Sequence, residues 1–529
     1  MKKIKSIISI VMMIVMVFAF NVSAFASTVT ISNPTTGAVY GAYRILDLTT
    51  SLNCSQEHEH TEECYNYGYK VNSKYQSVLT TVTGKTKSSE IVAYIGAFKD
   101  NDQDIRQFAD SLYKEIKKAS LSADATSNNG VFTFSNEGYY LIDEDITNAG
   151  DNETTSLVML DTSGKKDITI TTKKDNVTVE KKVLEDEDST DIGWNDVADY
   201  DIGDTVKFKS TGTVPAEISS YQTYKYIFHD KMEKGLTFDS TSVVVKIDDV
   251  VVTSGYQLIT SPTDDCTFEV KFDDLKVAEG ANGVIPITPN TKVVVEYSAI
   301  LNEDAEIAND GSGVDGNENE VYLEFSNNPY DEGTGETPKD IVVVYTFQIE
   351  LKKVDEDKNP LEGAKFRLYS DKDCKNEIKL RKLAEKVNGK DAYIIDPKGN
   401  DYIEGSDVYI IGLEADEGEG TTYYIKEVEA PDGYNILEEP IELTLIGGYE
   451  LRNSYIGNDE DALKYIEYII NGNKTESSSV VLPVVTVENT TGTELPSTGG
   501  IGTRVFTIGG IVLMVGAVVV FVTKRKMHQ

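Results

Sequence analysis

The chain has 529 residues, with 88 acidic against 50 basic side chains and a formal net charge of -38. That length is too great for one ordinary core and implies three or four domains of about 100 to 200 residues, while the acidic excess argues against nucleic acid and anionic membranes as partners. Four cysteines in the whole chain argue against a disulfide scaffold, and 30 Tyr with many alternating Val, Ile and Thr favour an all-β multidomain class.

Residues 1–26 read as a secretory signal. Lys2, Lys3 and Lys5 form its basic start, Ile7 to Phe20 its apolar core, and Ala24 and Ala26 a small-residue cleavage site, so the mature chain is expected to begin at Ser27. Residues 27–172 form a first domain with strands around Tyr40 to Asp47, Gly138 to Asp143 and Ile168 to Ile170. Between them Ile105, Phe108, Leu112 and Ile116 recur at helical spacing, which predicts one amphipathic helix lying on this domain's sheet.

An insertion in this domain sets His58 and His60 between Cys54 and Cys64. These are ligand types that zinc accepts, but the spacing departs from the usual finger. In an oxidising compartment a Cys54–Cys64 disulfide closing a small solvated loop is the alternative to zinc. Neither implies catalysis, and no other cofactor is expected.

Residues 173–345 form a second domain, opening with Val177, Val179, Lys181 and Lys182 and closing with Leu323, Phe325, Asn327 and Asn328. Cys266 falls in a predicted strand, where a buried free thiol is the default. Residues 346–492 form a third domain, from Ile349, Leu351 and Lys353 through Tyr423, Ile425 and Glu427 to Val485, Val487 and Asn489. Cys374 stands alone there. Residues 493–529 hold Leu495, Pro496, Ser497, Thr498 and Gly499, an uncharged run over 505–523, and Lys524, Arg525 and Lys526. That run is long enough to span a bilayer, with the basic cluster left on the cytoplasmic side.

Strand side chains alternate between faces, so a residue two places from an apolar one shares its face. By this test Lys181, Asp230 and Asn327 point inward in the second domain, and Lys353, Glu427 and Asn489 do so in the third. Lys182, Lys352 and Asn328 fall on the opposite face. Burying a lone charge is costly, and one resolution is a buried Lys–acid ion pair with the Asn a bystander. The other is chemistry. Desolvation lowers the lysine pKa and raises that of the acid, giving a neutral amine nucleophile and a carboxyl that shuttles protons. The product would be a Lys–Asn amide with loss of ammonia, Asp230 and Glu427 acting as the promoting acids. No other nucleophile–base set or phosphate loop stands out, so an enzyme with turnover is not expected. His229 adjoins Asp230 but alternates away from it and reads as a surface residue.

These segments together resemble the LPXTG-anchored major (backbone) pilins of Gram-positive bacteria. Residues 495–529 are similar to a sortase sorting signal, residues 177–344 to a fimbrial isopeptide-forming domain, and the segments from Leu361 to Asn489 to a collagen-adhesin B-type domain with its Glu427-centred E-box. The resemblance implies tandem immunoglobulin-like β-sandwich domains, the first with its added helix, and a C-terminal transmembrane sorting helix. It also implies self-formed isopeptide bonds Lys181–Asn327 and Lys353–Asn489, cleavage between Thr498 and Gly499, and transfer of the Thr498 carbonyl to a lysine of the next subunit. At the position of that lysine the chain reads Ile168-Thr169-Ile170-Thr171-Thr172-Lys173-Lys174, without the family's Tyr-Pro. Lys173 is the expected acceptor and Lys174 its runner-up. The expected partners are sortase, further copies of the chain, other pilins, peptidoglycan and host surface ligands. A monomeric wall-anchored adhesin using the same domains as a stalk is the alternative function.

Overall fold

The structure, a computed structural model, describes residues 27–52, 65–99, 103–146, 154–165, 167–171, 176–185, 193–330, 333–457, 461–491, 510–515 and 517–518. Strands dominate it, arranged in three successive pairs of sheets. Inner-face residues alternate with solvated ones along most strands, as two-sheet packing requires.

In the first pair, the strand Ser27–Ile31 lies between Val131–Phe134 and Asp167–Ile170, antiparallel to the former and parallel to the latter. A five-stranded sheet is built on the long strand Val39–Leu52 and its neighbour Gly138–Asp145. Three α-helices among the described residues accompany this sheet, where the spacing predicted one. The helix Gln103–Lys118 buries Phe108, Leu112 and Ile116 as the periodicity requires. The others, Gln76–Thr83 and Ser88–Ile95, span eight residues each and anchor through Val78, Leu79, Ile91 and Ile95. Two turns are too short to stand out as a repeat.

The second pair, within residues 179–345, is a sandwich of eight and seven strands. One sheet contains Val179–Glu185, Thr205–Thr213 and Lys292–Leu301 side by side; the other contains Val197–Asp199, Asp340–Tyr345, Asn317–Ser326, Tyr226–Met232 and Phe268–Phe272. Two strands, Thr334–Glu336 and Asp340–Tyr345, therefore follow the one at Leu323 and Phe325 that the sequence suggested as last. Cys266 is not in a strand: it precedes Phe268–Phe272 in a loop and is partly exposed. His229 is not at the surface either. It is 8% exposed, stacked on Tyr322 with ring centroids 4.5 Å apart, and its Nδ1 lies 2.8 Å from Asp264 Oδ2. Alternation put His229 on the outer face correctly, but Tyr322 and the Asp264 loop cover that face.

The third pair, within residues 347–488, sets a five-stranded sheet containing Phe347–Val354, Asp407–Leu413 and Val484–Glu488 against a seven-stranded one containing Lys365–Tyr369, Thr421–Glu429 and Ile441–Tyr449. Phe347–Val354 runs parallel to Val484–Glu488, with Lys353 opposite Val487. One contiguous apolar core runs through the second and third pairs, from Val177 to Val487. Gly412 helps to join them. With φ 96° it adopts the left-handed region, its carbonyl accepts the Ile202 N–H at 3.0 Å, and a Cβ there would meet Ile202 at 2.8 Å.

Residues 510–515 and 517–518 are helical. Among the described residues no helix is long and apolar enough to cross a membrane, and most of the 505–523 run lies outside them. So do the signal segment, Cys54, His58, His60 and Cys64, the acceptor candidates Lys173 and Lys174, and the motif from Leu495 to Gly499.

Candidate cross-link sites

In the second domain Lys181 sits in Val179–Glu185, whose inward face carries Lys181, Val183 and Glu185. Its side chain is 0% exposed. Nζ donates to Asp230 Oδ2 and to the Tyr297 hydroxyl, each at 2.6 Å, and approaches the Glu320 carbonyl at 3.5 Å. Asp230 comes from the opposite sheet, at the centre of Tyr226–Met232, and its Oδ2 also accepts from the Tyr297 hydroxyl at 2.7 Å. Lys182 points the other way and pairs with Asp196 at 2.6 Å.

Burial depresses the Lys181 pKa and raises that of Asp230, each against the attraction of the other. Both shifts favour the neutral amine and the neutral carboxyl, the forms that nucleophilic attack and proton transfer need. Tyr297 is held well above the ordinary phenol range by burial and by the Asp230 charge, so it stays a hydroxyl that can relay a proton.

The asparagine at this site is Asn319, not Asn327. Asn319 is 0% exposed, and its Nδ2 donates to the Tyr297 hydroxyl at 3.0 Å. The strand register pairs Asp230 with Val321 and Tyr226 with Phe325, so Asn327 lies past the far end of the strand Asn317–Ser326. At about 3.3 Å per residue, six residues beyond Val321 is roughly 20 Å, several times the reach of a lysine. Asn327 is buried elsewhere, and its carbonyl accepts the Thr155 N–H of the first domain at 3.1 Å. Alternation reports a face, and Asn319, Val321, Leu323, Phe325 and Asn327 all share one. It does not report height along the strand.

The third domain brings together all three of its predicted residues. Lys353, Glu427 and Asn489 are 0%, 2% and 1% exposed. Lys353 Nζ donates to the Val354 and Val487 carbonyls at 3.0 and 3.3 Å, while the Asn489 backbone N–H donates to the Val354 carbonyl at 3.1 Å, so the lysine amine and the Asn489 backbone share one peptide group. Glu427 reaches in from the facing sheet. Its carboxyl oxygens accept Asn489 Nδ2 at 2.9 and 3.1 Å, and Oε2 accepts the Leu437 N–H at 2.8 Å. Asn489 Nδ2 also donates to the Asn435 carbonyl at 2.9 Å, whereas Oδ1 has no hydrogen-bond partner. Burial lowers the Lys353 pKa against the pull of Glu427. The acid thus holds the nitrogen that would leave as ammonia.

Sequence reasoning did not single out Tyr297 or Asn319. Both lie on inward faces, and Asn319 carried the signal used elsewhere, an amide on an apolar face; Tyr297 looks like any core aromatic.

Three segments of the chain match known protein families. Residues 202–329 match the Gram-positive pilin backbone subunit 2, Cna-B-like domain; residues 347–453 match a prealbumin-like fold domain; and residues 487–528 match the LPXTG cell wall anchor motif. The trypsin-resistant surface T6 protein of Streptococcus pyogenes serotype M6 is 26% identical over 392 residues, 61% of this chain and 65% of that protein, just under two thirds of the relative's length. Among solved structures, the T6 backbone pilin of serotype M6 Streptococcus pyogenes is 19% identical with a TM-score of 0.47, covering 88% of this chain and 98% of that one. The full-length major pilin SpaD from Corynebacterium diphtheriae is 16% identical with a TM-score of 0.45, covering 89% and 98%. The chain thus carries, in order, a segment matching a Gram-positive pilin backbone domain, one matching a prealbumin-like fold domain and one matching the LPXTG cell wall anchor motif, and it is similar to Gram-positive major pilins.

Proposed function

We propose that this protein is the structural subunit of a covalent cell-surface pilus anchored in the cell wall. Sortase would cut between Thr498 and Gly499 and join Thr498 to Lys173, or failing that Lys174, of the next subunit; the last subunit would be passed to peptidoglycan. Within each subunit, amide bonds form between Lys181 and Asn319 and between Lys353 and Asn489. In each, the lysine nitrogen attacks the side-chain carbonyl carbon of Asn, and the amide nitrogen departs as ammonia. Asp230 with Tyr297, and Glu427, move the protons. Each bond is one self-modifying event without turnover, so the protein acts as a building material rather than an enzyme.

The observation that carries this reading is a buried lysine, acid and asparagine side by side in each of two successive sandwiches of a chain that matches the LPXTG cell wall anchor motif. Proximity of this kind supplies much of the barrier lowering that amide exchange needs. The test is a denaturing gel of cell-wall material released by muramidase, probed for this protein, beside a Lys173→Ala strain. A high-mass ladder that collapses to monomer in the variant is expected. A ladder that persists moves the acceptor to Lys174, and a single wall-linked band in both strains means a monomeric adhesin instead.

A further inference from the structure

On the outer face of the second domain's seven-stranded sheet, opposite the face that carries Asp230, three different metal-ligating side chains meet. His229 belongs to the strand Tyr226–Met232, and Asp264 and Cys266 lie in the loop between Gln257–Ile259 and Phe268–Phe272. One atom from each, an imidazole nitrogen, a carboxyl oxygen and Sγ, lies within 4.8 Å of the other two. The loop is fastened where it rejoins the sheet. The Thr267 N–H donates to the Asp230 carbonyl at 2.7 Å, and Thr267 Oγ1 accepts the Met232 N–H at 2.9 Å.

The histidine is set as a metal ligand is set. Its ring, 8% exposed, stacks on Tyr322 with 3° between the planes, and Nδ1 faces Asp264 Oδ2 at 2.8 Å and Glu269 Oε1 at 3.6 Å. On the other side Nε2 makes no hydrogen bond and stands 3.6 Å from Glu324 Oε2, while Lys225 holds the second Glu324 oxygen at 2.6 Å. Metal-bound histidines nearly always present their other nitrogen to a carboxylate or carbonyl, which fixes the tautomer and the ring. Asp264 is oriented too: its Oδ1 accepts the Cys266 N–H at 3.2 Å. A histidinium among three carboxylates would account for Asp264, Glu269 and Glu324 but leaves the thiol without a role.

Donors of N, O and S together suit a borderline cation rather than Ca2+ or Mg2+, which take oxygen. Zinc binds N and O at about 2.1 Å and S at about 2.3 Å, so tetrahedral ligand atoms stand roughly 3.3 to 3.7 Å apart. The three atoms here need only small shifts to reach that spacing. We propose that His229 Nδ1, an Asp264 carboxyl oxygen and Cys266 Sγ bind Zn2+, with the fourth position left to water and Glu324 as the outer partner of Nε2. Binding releases the thiol proton to solvent, since the thiolate is the ligand. The ion pins the loop to the sheet directly behind Asp230 and shields a partly exposed thiol from oxidation.

The test uses the full chain, reduced and stripped with EDTA, with alkylation of each cysteine by iodoacetamide read by peptide mass spectrometry. Zn2+ should slow alkylation of Cys266 severalfold and leave that of Cys374 unchanged. Co2+ then serves as a coloured probe in a chain carrying Cys54→Ser and Cys64→Ser, where a thiolate-to-cobalt charge-transfer band is expected. Asp264→Asn, on a side chain 35% exposed, and His229→Gln should each abolish both protection and band, and Cys266→Ser should abolish the band. Asp264→Asn carries the test alone if His229→Gln fails to fold. Equal alkylation of Cys266 with and without Zn2+ would overturn the proposal in favour of a histidinium ion pair. Protection or a band that survives every folded variant of His229 and Asp264 would place the metal elsewhere and overturn it as well.

Discussion

The two candidate cross-link sites use the same three residue types and arrange them in opposite ways. In the second domain the acid grips the nucleophile: Asp230 lies 2.6 Å from Lys181 Nζ, and Asn319 is reached through the Tyr297 hydroxyl. In the third the acid grips the leaving group: both Glu427 oxygens hold Asn489 Nδ2, while Lys353 waits on two backbone carbonyls. The sheets differ correspondingly. Lys181 and Asn319 face each other across a sandwich, whereas Lys353 and Asn489 are neighbours at the end of one parallel strand pair. In the proposed reaction a tyrosine relay would be needed only where the acid is committed to the amine.

The largest effects that can break this comparison are all-or-none. Wild type should be lighter than its sequence by two ammonias, and Asn319→Ala, Asp230→Ala, Asn489→Ala and Glu427→Ala should each restore about 17 Da after the substitution is subtracted, as loss of one condensation requires. Asn327→Ala should restore nothing in intact-mass measurement; if it does, the register argument is wrong. Each missing bond should also cost its domain about 5 kcal/mol by the chain-entropy relation for long loops, visible as a lowered urea midpoint for that domain alone.

A smaller effect comes from the first domain, where a buried acid has a phenol rather than an amine beside it. Asp143 receives the Tyr113 hydroxyl, and burial pushes its pKa up to about 6 from 3.8. The folded state therefore holds the proton that the unfolded state has released. The stabilisation is fully present below pH 3.8 and lost as pH rises through 6, up to about 3 kcal/mol in all. Chemical denaturation of this domain between pH 4 and 7 should show that decline, and Asp143→Asn should flatten it.

The smallest effect is the most diagnostic. Tyr297→Phe removes one hydroxyl, about 1 kcal/mol of hydrogen bonding, so the folded variant should be nearly as stable once matured. Its second-domain bond should form more slowly, with the third-domain bond unaffected, when ammonia loss is followed by mass spectrometry on newly made protein. Equal rates in both domains would remove Tyr297 from the relay.

Legibility of these sites in the sequence followed from what a period of two can report. Lys181 over Lys182, Lys353 over Lys352, and the inward placing of Asp230, Glu427 and Asn489 all came from face alone, and the structure agrees. Choosing between Asn319 and Asn327 required the pairing of Tyr226–Met232 with Asn317–Ser326, which is a tertiary register. The two short helices of the first domain and the cover over His229 escaped for a related reason: they depend on which segments pack together. The all-β class was legible because alternation extends over many strands, whereas the sandwich pairs were expected only through the family resemblance.

The parallel pairing of Phe347–Val354 with Val484–Glu488 has a mechanical meaning. A chain pulled from its two ends enters the third domain at Phe347 and leaves beyond Glu488, at opposite ends of that ladder. The rungs are then loaded in shear, all at once like a lap joint, rather than peeled one by one. A Lys353–Asn489 bond at the exit end would short-circuit nearly the whole domain, leaving only the first strand in the line of force. A Lys181–Asn319 bond would leave residues 320–345 still in that line. Under rising tension the second domain should therefore yield a short stretch of slack before the third yields any, a shock absorber set between two rigid links.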